Sequence, residues 1–471
     1  MNAFVRGIGS NSGARTKNGA ATLATSGDSI VDLFFVIGAS RTMSEDQFTG
    51  MFEKAYLNNP EIALRLSLYA RDIRGGMGER LAFRRILLWL EKNQPEELNR
   101  VLPKVAEVGR FDDLLIFNTS YAKGIAYRLI AKALSERNGL CAKWMPRKGI
   151  FAYELRNFLG LSPKQYRKLL VGLTNVVETK MCAKEWEAIN LEHVPSVATS
   201  RYRKAFARHI PKNVTTFIEK VKKGEATVKA GAVFPHDIVR SLKENFGKPS
   251  QLVQESAQIQ WEAMPDFIGE GSFLPVVDVS GSMTTLVSGN ISAMDIAIAL
   301  GMYCSERNKS AFKDCMLTFS DNSTLVQIKR TSLYDQLMKI ARLDWGMSTN
   351  LQSAFKAILS HAKNHDVPRS DMPKTLLIIS DMEFNACVRD LTNYEAMAEQ
   401  FGMSGYEMPN VVFWNVNASA RNNPVDYLQN GTALVSGFSP SIMRTVLSAK
   451  VVRPIDIVLE AVMVDRYNLS E

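Results

Sequence analysis

The chain has few cysteines and no long apolar run. Its five cysteines are scattered along 471 residues without a Cys-x-x-Cys pair. An odd, unclustered set argues against a disulfide framework or a zinc site and favours reduced thiols in the cytoplasm. No apolar run reaches the roughly 18 residues of a membrane span, and the N-terminus lacks the apolar core of a signal peptide. We therefore expect a cytoplasmic protein with no membrane partner.

Residue patterns typical of catalytic centres are also missing. The sequence shows no Ser-His-Asp arrangement, no carboxylate pair of the glycosidase kind and no credible nucleophilic cysteine. The five histidines do not cluster. His361 and His365 lie four residues apart on a predicted helix, where they form either a metal pair or, as we favour, part of a solvated face. We expect no enzymatic activity.

Positive charge is distributed unevenly. Residues 1–270 carry 40 Lys and Arg against 28 Asp and Glu, whereas residues 271–471 carry 17 against 20. The excess of 12 positive charges in the first part favours a polyanionic partner such as RNA. A basic surface with no nucleic-acid partner would give the same totals.

The first 265 residues predict an arm followed by helices. Residues 1–28 are rich in Gly, Ser, Asn, Thr and Ala and predict a flexible arm. Residues 29–265 repeat apolar positions at helical spacing between prolines, which predicts an α-helical, HEAT-like array. Within it, Arg74-Gly-Gly-Met-Gly78 could cradle a phosphate or form a tight turn between helices. The Lys-Ser/Thr of a phosphate-binding loop is absent, so the turn is favoured.

Residues 266–471 change to alternating strands and helices, which predicts a doubly wound α/β domain. The predicted strands are 273–278, 313–319, 324–329, 375–380, 410–416 and 432–436. Asp321-Asn-Ser-Thr324 reads as a hairpin turn, so the strand after it should be an antiparallel edge. Doubly wound sheets bind ligands beyond the C-terminal ends of their strands.

Three loops at that end carry hard oxygen ligands. The first holds Asp278, Ser280 and Ser282, the second holds Thr349, and the third holds Asp381 directly after a buried strand. Carboxylates and hydroxyls suit Mg²⁺ or another divalent cation. Asp-x-Ser-x-Ser alone also fits an ordinary strand end with a serine cap on the next helix.

Taken together, these five residues resemble the metal-ion-dependent adhesion site of the von Willebrand factor A domain. The resemblance covers about residues 270–471. It implies that the five side chains hold the metal directly or through water. It also implies an open coordination position that accepts an acidic group from a protein partner.

A second resemblance covers the chain after residue 30. It is carried by Arg71-Asp-Ile-Arg-Gly-Gly-Met-Gly-Glu-Arg80, Trp186-x-x-Ile-x-x-Glu-x-Val-Pro-Ser196, Pro235-His-Asp-Ile238 and Phe413-Trp-Asn-Val-Asn417. These motifs are similar to those of a phage, bacterial, fungal and plant family that pairs a helical region with an A domain. Its layout is similar to that of the Ro autoantigen (TROVE) proteins, whose helical ring binds RNA. The resemblance implies a TROVE-like domain over residues 29–265 and a von Willebrand factor A-like domain over 266–471.

Basic residues of the helical region are candidates for RNA contact. They are Lys143, Arg147, Lys148, Lys164, Arg167, Lys168, Arg201, Arg203, Lys204, Arg208 and Lys212. Tyr202 and Phe206 share a helix face among them and fit either base stacking or, as we favour, the core. The preferred hypothesis is a non-enzymatic RNA-binding scaffold, part of a ribonucleoprotein, with a Mg²⁺-dependent adhesion site. The alternative is a metal-dependent protein-assembly module with no nucleic-acid ligand.

Overall fold

The structure is a computed structural model that describes residues 12–243, 248–268, 270–319, 323–328, 331–342, 350–385, 392–418, 422–448 and 453–469. A helical N-terminal region is followed by a C-terminal region built on a mixed, mainly parallel sheet. The predicted order of helices first and α/β second is therefore confirmed.

The described part of the first region contains two short strands and fifteen α-helices, with short 3-10 helices between them. They are β1 (Ser12–Arg15), β2 (Ala21–Leu23), α1 (Ser29–Ile37), α2 (Glu45–Asn58), α3 (Pro60–Arg71), α4 (Arg80–Asn93), α5 (Leu98–Val101), α6 (Val105–Val108), α7 (Ser120–Ser135), α8 (Gly139–Trp144), α9 (Ile150–Phe158), α10 (Pro163–Leu173), α11 (Val177–Cys182), α12 (Ser196–His209), α13 (Pro211–Lys222), α14 (Pro235–Leu242) and α15 (Gln251–Glu262). Polar side chains cap many of them: Ser44 accepts a hydrogen bond from the backbone N–H of Gln47 at 3.3 Å, as the sequence suggests.

The second region alternates strands and helices. Its elements are β3 (Phe273–Asp278), β4 (Leu286–Ser288), β5 (Ile291–Ser292), α16 (Ala293–Arg307), β6 (Cys315–Phe319), β7 (Thr324–Gln327), α17 (Leu333–Ala341), α18 (Leu351–Asn364), β8 (Thr375–Ser380), α19 (Asn393–Met403), β9 (Asn410–Asn415), β10 (Thr432–Ser436), α20 (Ile442–Ser448) and α21 (Pro454–Val462).

Six of these strands form one sheet in the order β10-β9-β8-β3-β6-β7. Neighbouring strands run parallel except β6 and β7, which are antiparallel. The prediction of an antiparallel edge strand is therefore confirmed. β3 and β8 lie side by side at the centre, so the residues at their C-terminal ends are neighbours.

The N-terminal segment differs from the flexible arm that its composition suggests. β1 and β2 pair in an antiparallel ribbon that lies against the C-terminal region. The hydroxyl of Thr16 donates to the carbonyl of Phe384 at 2.6 Å, and Leu23 exchanges both backbone hydrogen bonds with Asn423 at 2.9 and 3.0 Å. Short polar segments need such long-range partners to be ordered, and the sequence does not reveal them.

Helix α1 also packs on the sheet, although it lies within the range predicted for the helical array. The Ser436 hydroxyl on β10 donates to the carbonyl of Phe34 at 2.6 Å and accepts from the backbone N–H of Gly38 at 3.0 Å. A Cβ on Gly38 would lie 2.7 Å from the carbonyl oxygen of Ser436, so only glycine permits this approach. Residues 12–38 thus pack against the C-terminal region.

The glycine-rich motif between α3 and α4 is a tight turn, as favoured from the sequence. The carbonyl of Asp72 accepts hydrogen bonds from the N–H groups of Gly76 and Gly78 at 3.1 and 3.0 Å. The Asp72 carboxylate is wholly buried and accepts hydrogen bonds from the Arg466 guanidinium and the Tyr467 hydroxyl. The turn therefore joins the helical region to the end of the chain.

Replacing Gly76 with alanine should destabilise the protein. A Cβ at Gly76 would lie 1.9 Å from the carbonyl oxygen of Tyr69, an overlap that only a backbone shift can relieve. We expect Gly76→Ala to lower the free energy of unfolding by about 2–3 kcal/mol in urea denaturation.

The matched control is Gly50→Ala, in the interior of α2, where a Cβ meets nothing within 4 Å. That change should stabilise by about 0.5–1 kcal/mol, because alanine loses less backbone entropy in a helix. Equal effects of the two substitutions would contradict the packing described here.

Candidate functional site

The centre of the sheet ends in a buried carboxylate. β3 is buried along its whole length and delivers Asp278 to the C-terminal edge with no exposed surface. One carboxylate oxygen accepts a hydrogen bond from the backbone N–H of Ser280 at 2.9 Å. The other accepts from the hydroxyl of Ser380, at the end of β8, at 2.5 Å. Among the described residues, Asp278 has neutral hydrogen-bond donors and no ion-pair partner.

A second carboxylate and two hydroxyls lie next to Asp278. The Ser280 and Ser282 hydroxyl oxygens are 3.1 Å apart, and the side chain of Ser282 donates a hydrogen bond to Asp381. Asp381 is 3% exposed and also accepts from the backbone N–H of Glu383 at 3.2 Å. The structure therefore brings together four of the five predicted metal ligands. The fifth, Thr349, lies outside the described residues.

The two carboxylates disfavour each other's negative charge. Burial, and then the nearby charge of Asp381, raise the pKa of Asp278 above its ordinary value. Burial also raises the pKa of Asp381. Two buried acids without a cation are stabilised either by a shared proton or by a bound cation. Hydroxyl and carboxylate oxygens at one place form a donor set suited to a hard divalent cation.

A metal at this position would depend on hydroxyl ligands. In the part of the chain that the structure describes, no group of three or more His, Cys, Asp and Glu side chains is placed to hold a metal ion. His361 and His365 have stacked rings 4.3 Å apart, and His365 Nδ1 lies 3.0 Å from the carbonyl oxygen of His361. Both histidines are exposed, as expected for part of a solvated helix face.

The N-terminal ribbon contacts the loop that carries Asp381. The Glu383 carboxylate accepts a hydrogen bond from the backbone N–H of Lys17 at 2.7 Å, and the Lys17 ammonium lies 3.8 Å from it. The Asn18 side chain donates to the carbonyl of Glu383 at 2.6 Å. Sequence reasoning missed this anchor, because the partners are more than 360 positions apart and no local pattern joins them.

The predicted RNA-contacting residues divide by exposure. Lys143 is half-buried and lies 3.4 Å from Glu178. Nine others are exposed: Arg147, Lys148, Lys164, Arg167, Lys168, Arg201, Lys204, Arg208 and Lys212. They lie in the loop before α9 and on α10, α12 and α13.

The prediction from the sequence that Arg203 contacts RNA is wrong, because its side chain is buried. It is 2% exposed and hydrogen-bonds the side chains of Ser241, Ser256 and Gln260 on α14 and α15. Burial lowers the pKa of its guanidinium to about 9, so the group remains charged at neutral pH. It lies one helical turn from buried Phe206 on the inner face of α12. Its neutral partners are 38 to 57 positions away, so the sequence offers no sign of them.

The aromatics of α12 follow the interpretation favoured from the sequence. Phe206 is 3% exposed and belongs to a small core with Ile210, Val214 and Ile218. Tyr202 is half-buried, and its hydroxyl donates to Glu178 at 3.2 Å. The Phe206 ring is therefore unavailable for base stacking, and the Tyr202 ring packs partly against the same core.

Exposed cations and exposed apolar side chains concentrate in one segment. Residues 139–173, hereafter the three-helix segment (α8 to α10), contain seven Lys and Arg and one acid, Glu154. Glu154 is engaged by Lys123 and the Tyr127 hydroxyl at 3.0 and 2.7 Å. The segment also exposes Leu140, Ile150, Tyr153, Phe158 and Val171, each by 47% or more. Such a combination of positive charge with uncovered apolar and aromatic surface is typical of an interaction surface.

Comparison with known proteins places the chain in a family. The family described as a domain of unknown function, DUF2828, matches residues 16–115 and 117–272. The chain belongs to the DUF2828 family. A second domain of unknown function, DUF7788, matches residues 272–466. The two matches meet at the start of the central sheet.

Two relatives span nearly the whole chain. Uncharacterized protein L728 of Acanthamoeba polyphaga mimivirus is 26% identical over 510 residues, covering 94% of this chain and 86% of the relative. The crystal structure of the Ro (RSR) protein of Deinococcus radiodurans matches with 15% identity and a TM-score of 0.43, covering 92% of this DUF2828 chain and 99% of that one. A TM-score of this size does not establish a common fold.

No helix in the described ranges is both long and apolar enough to cross a bilayer.

Replacing Arg203 should weaken the fold rather than a binding surface. Arg203→Gln would leave the side chains of Ser241, Ser256 and Gln260 without their buried donor. Each unsatisfied group costs about 1–3 kcal/mol, so we expect chemical denaturation to show a loss of about 2–4 kcal/mol. Arg201→Gln, two residues away on the exposed face, should change the stability by less than about 0.5 kcal/mol. A silent Arg203→Gln would refute the buried position.

Proposed function

We propose that this protein is a non-enzymatic, cytoplasmic RNA-binding scaffold that carries a divalent-cation site for a protein partner. The observation that carries the RNA part is the three-helix segment. The segment has a net charge of six positive charges, and five of its seven cations are exposed beside uncovered aromatic and aliphatic side chains. Such a surface does not stabilise the fold, because exposed like charges repel each other and apolar area in water is unfavourable.

RNA fits this surface better than an acidic protein does. Regularly spaced phosphates match a series of separate lysines and arginines, and unstacked bases match exposed rings. Tyr153 is 54% exposed, and the Arg156 guanidinium lies 5.1 Å from its ring centroid. A flat ring beside a cation is a platform on which a base can stack while its phosphate is neutralised. The proposed ligand is therefore RNA with an accessible single-stranded part.

The metal part of the proposal concerns the C-terminal edge of the sheet. We propose that Asp278, Ser280, Ser282 and Asp381, together with Thr349 from outside the described ranges, hold Mg²⁺. The support is the donor set and the mutual repulsion of two buried carboxylates, which a cation would relieve. The parallel sheet with one antiparallel edge supports the von Willebrand factor A-like assignment. When bound, the cation would supply a coordination position for an acidic group of a partner.

A protein-assembly module without RNA remains the second candidate. The half-exposed Ser282 beside two buried carboxylates favours it, because a metal there would face solvent on one side. The two functions are separated by their ligands. A protein that binds Mg²⁺ and an acidic partner, but no RNA at low salt, would leave the assembly module as the function.

Removing positive charge from the three-helix segment should weaken RNA binding. Lys164 and Lys168 are exposed and lie four residues apart on α10. For Lys164→Gln/Lys168→Gln we expect about tenfold weaker binding to a labelled RNA with a single-stranded tail, and a salt slope smaller by roughly 1.4. Fluorescence anisotropy at salt concentrations from about 50 to about 200 mM measures both the affinity and its salt dependence.

The matched control removes two charges from the other region. Lys356→Gln/Lys363→Gln changes exposed lysines of α18 and should leave RNA affinity within about twofold. If the wild-type protein ignores both single-stranded and structured RNA at low salt, the RNA proposal is lost.

Asp278→Asn should remove metal binding while keeping the fold. The amide oxygen can still accept the hydrogen bond from the Ser280 N–H, the amide NH₂ can donate to the Ser380 hydroxyl, which accepts as well as donates, and the charge repulsion from Asp381 disappears. Without metal the variant should therefore be at least as stable as wild type. Saturating Mg²⁺, at about a hundredfold excess over its Kd, should stabilise only the wild type, by about 2–3 kcal/mol.

Thermal unfolding with and without MgCl₂, at constant ionic strength, measures this difference. Asp371→Asn, an exposed acid of the same region, should respond to Mg²⁺ as the wild type does. A wild-type protein that gains no more stability from Mg²⁺ than from NaCl would falsify the metal proposal.

A further inference from the structure

Four arginines surround two neighbouring aspartates beside the glycine-rich turn. They are Arg71 at the end of α3, Arg80 and Arg84 on the first turns of α4, and Arg110 before a short 3-10 helix (Phe111–Leu114). The aspartates are Asp112 and Asp113 on that 3-10 helix. The cluster belongs neither to the candidate metal site nor to the exposed cations of the three-helix segment.

The inner half of the cluster is balanced. Asp113 is wholly buried; one oxygen accepts a hydrogen bond from Arg71 Nε at 2.8 Å, and the other accepts from Arg84 Nε at 2.7 Å. Arg71 itself is 5% exposed. These contacts are those of a structural ion pair, and they fix Arg84 on the side of the helix that faces Asp112.

The outer half carries more positive charge than it can neutralise. Asp112 is held by the fork of Arg110, whose Nε donates at 2.8 Å. Arg84 Nη2 lies 3.0 Å from the same carboxylate, outside hydrogen-bond geometry, and is buried without a hydrogen-bond partner. Arg80 Nη1 is 3.9 Å away, and its side chain is 48% exposed. Four guanidinium groups thus share two carboxylates, which leaves two positive charges.

The surplus positive charge destabilises the charged form of Arg80. Burial, and then the charges of Arg110 and Arg84, lower the pKa of its guanidinium, so its charge is disfavoured where it lies. Among the described residues, Arg80 has an ion pair with Asp112 alone, at 3.9 Å, and half of its side chain faces solvent. An anion placed beside Arg80 would relieve the repulsion among Arg80, Arg84 and Arg110.

The cluster is continuous with the three-helix segment. The Arg110 guanidinium stacks over the Trp144 ring at 3.6 Å from the centroid, and the Lys143 ammonium lies 5.4 Å from the same ring. Trp144 ends α8. A polyanion lying along the three-helix segment would therefore reach the arginines across one indole ring.

We propose that Arg80, Arg84 and Arg110 form a binding site for a phosphate monoester dianion. Guanidinium forks match the oxygens of phosphate, and a monoester carries about −1.5 to −2 charges at neutral pH, which balances the two surplus charges. A single carboxylate would leave half of the excess. The monoester can be the terminal phosphate of an RNA, which rests on the proposed function, or a small phosphate, which does not.

The test uses the full-length protein in phosphate-free buffer. Inorganic phosphate is titrated at constant ionic strength, and the melting temperature and calorimetric heat are followed. Wild type should show saturable binding. Arg80→Gln should bind about tenfold more weakly, because one charge-assisted hydrogen-bond donor is lost. Without phosphate, Arg80→Gln should melt at or above the wild-type temperature, whereas a merely structural arginine would melt below it.

The matched control is Arg453→Gln, which removes an arginine of 38% exposure that is fully engaged by Asp456. It should leave phosphate affinity unchanged. Absence of saturable binding in the wild type, an equal response to chloride, or an unchanged affinity in Arg80→Gln would each overturn the site.

A second arm identifies the source of the phosphate. An RNA oligonucleotide is compared with a 5′-phosphate and with a 5′-hydroxyl. Preference for the phosphorylated form that is lost in Arg80→Gln assigns the site to an RNA end. Equal binding of both forms, with phosphate binding retained, assigns it to a small phosphate. If neither RNA binds while inorganic phosphate still does, the RNA proposal fails and the anion site stands.

Discussion

Buried carboxylates are the constraint on which this structure depends, because an ionised acid away from water is stable only with compensating partners. Asp72 and Asp113 both meet that need with arginine. Asp113 joins α3 and α4 to the following 3-10 helix. Burial works against the ionisation of Asp72, but hydrogen bonds from Arg466 and from the backbone of Arg74 hold its pKa below the ordinary range. These two acids organise the helical region and attach it to the end of the chain.

Asp278 is equally buried and is treated differently. Its described partners are a backbone N–H and a serine hydroxyl, and its charged neighbour is another acid, Asp381. Asp72 and Asp113 each have an arginine partner, whereas the charged neighbour of Asp278 is a second carboxylate. The contrast is the physical argument for an external cation at the edge of the sheet.

The sequence predicts what depends on local patterns. Alternating strands and helices, the antiparallel edge strand β7, the Ser44 cap and the turn after Asp72 all follow from spacing and turn chemistry, and the structure agrees. Four of the five candidate metal ligands could be placed together because parallel strands end at one edge. The metal itself, and the function of the basic surface, stay predictions.

The errors arise where a residue depends on a distant partner. Arg203 has the local pattern of a surface cation, yet three neutral side chains on α14 and α15 enclose it. The N-terminal ribbon has the composition of a flexible arm, yet Glu383 and Asn423 supply its hydrogen bonds. Neither partner could be found from composition or periodicity, since both act across tens to hundreds of positions.

The position of the N-terminal ribbon also bears on how the two candidate sites are related. The N-terminal ribbon pairs with loops of the C-terminal region, α1 packs on β10, and α21 packs against α1 and α3. The ends of the chain therefore cross between the two regions. The acids at the edge of the sheet and the cations of the three-helix segment have opposite charge. On the functions proposed above, anionic ligands would be drawn to the helices, and the sheet edge would accept them only where a metal neutralises its carboxylates. Occupancy by a divalent cation would change which anions the sheet edge accepts, without altering the basic surface.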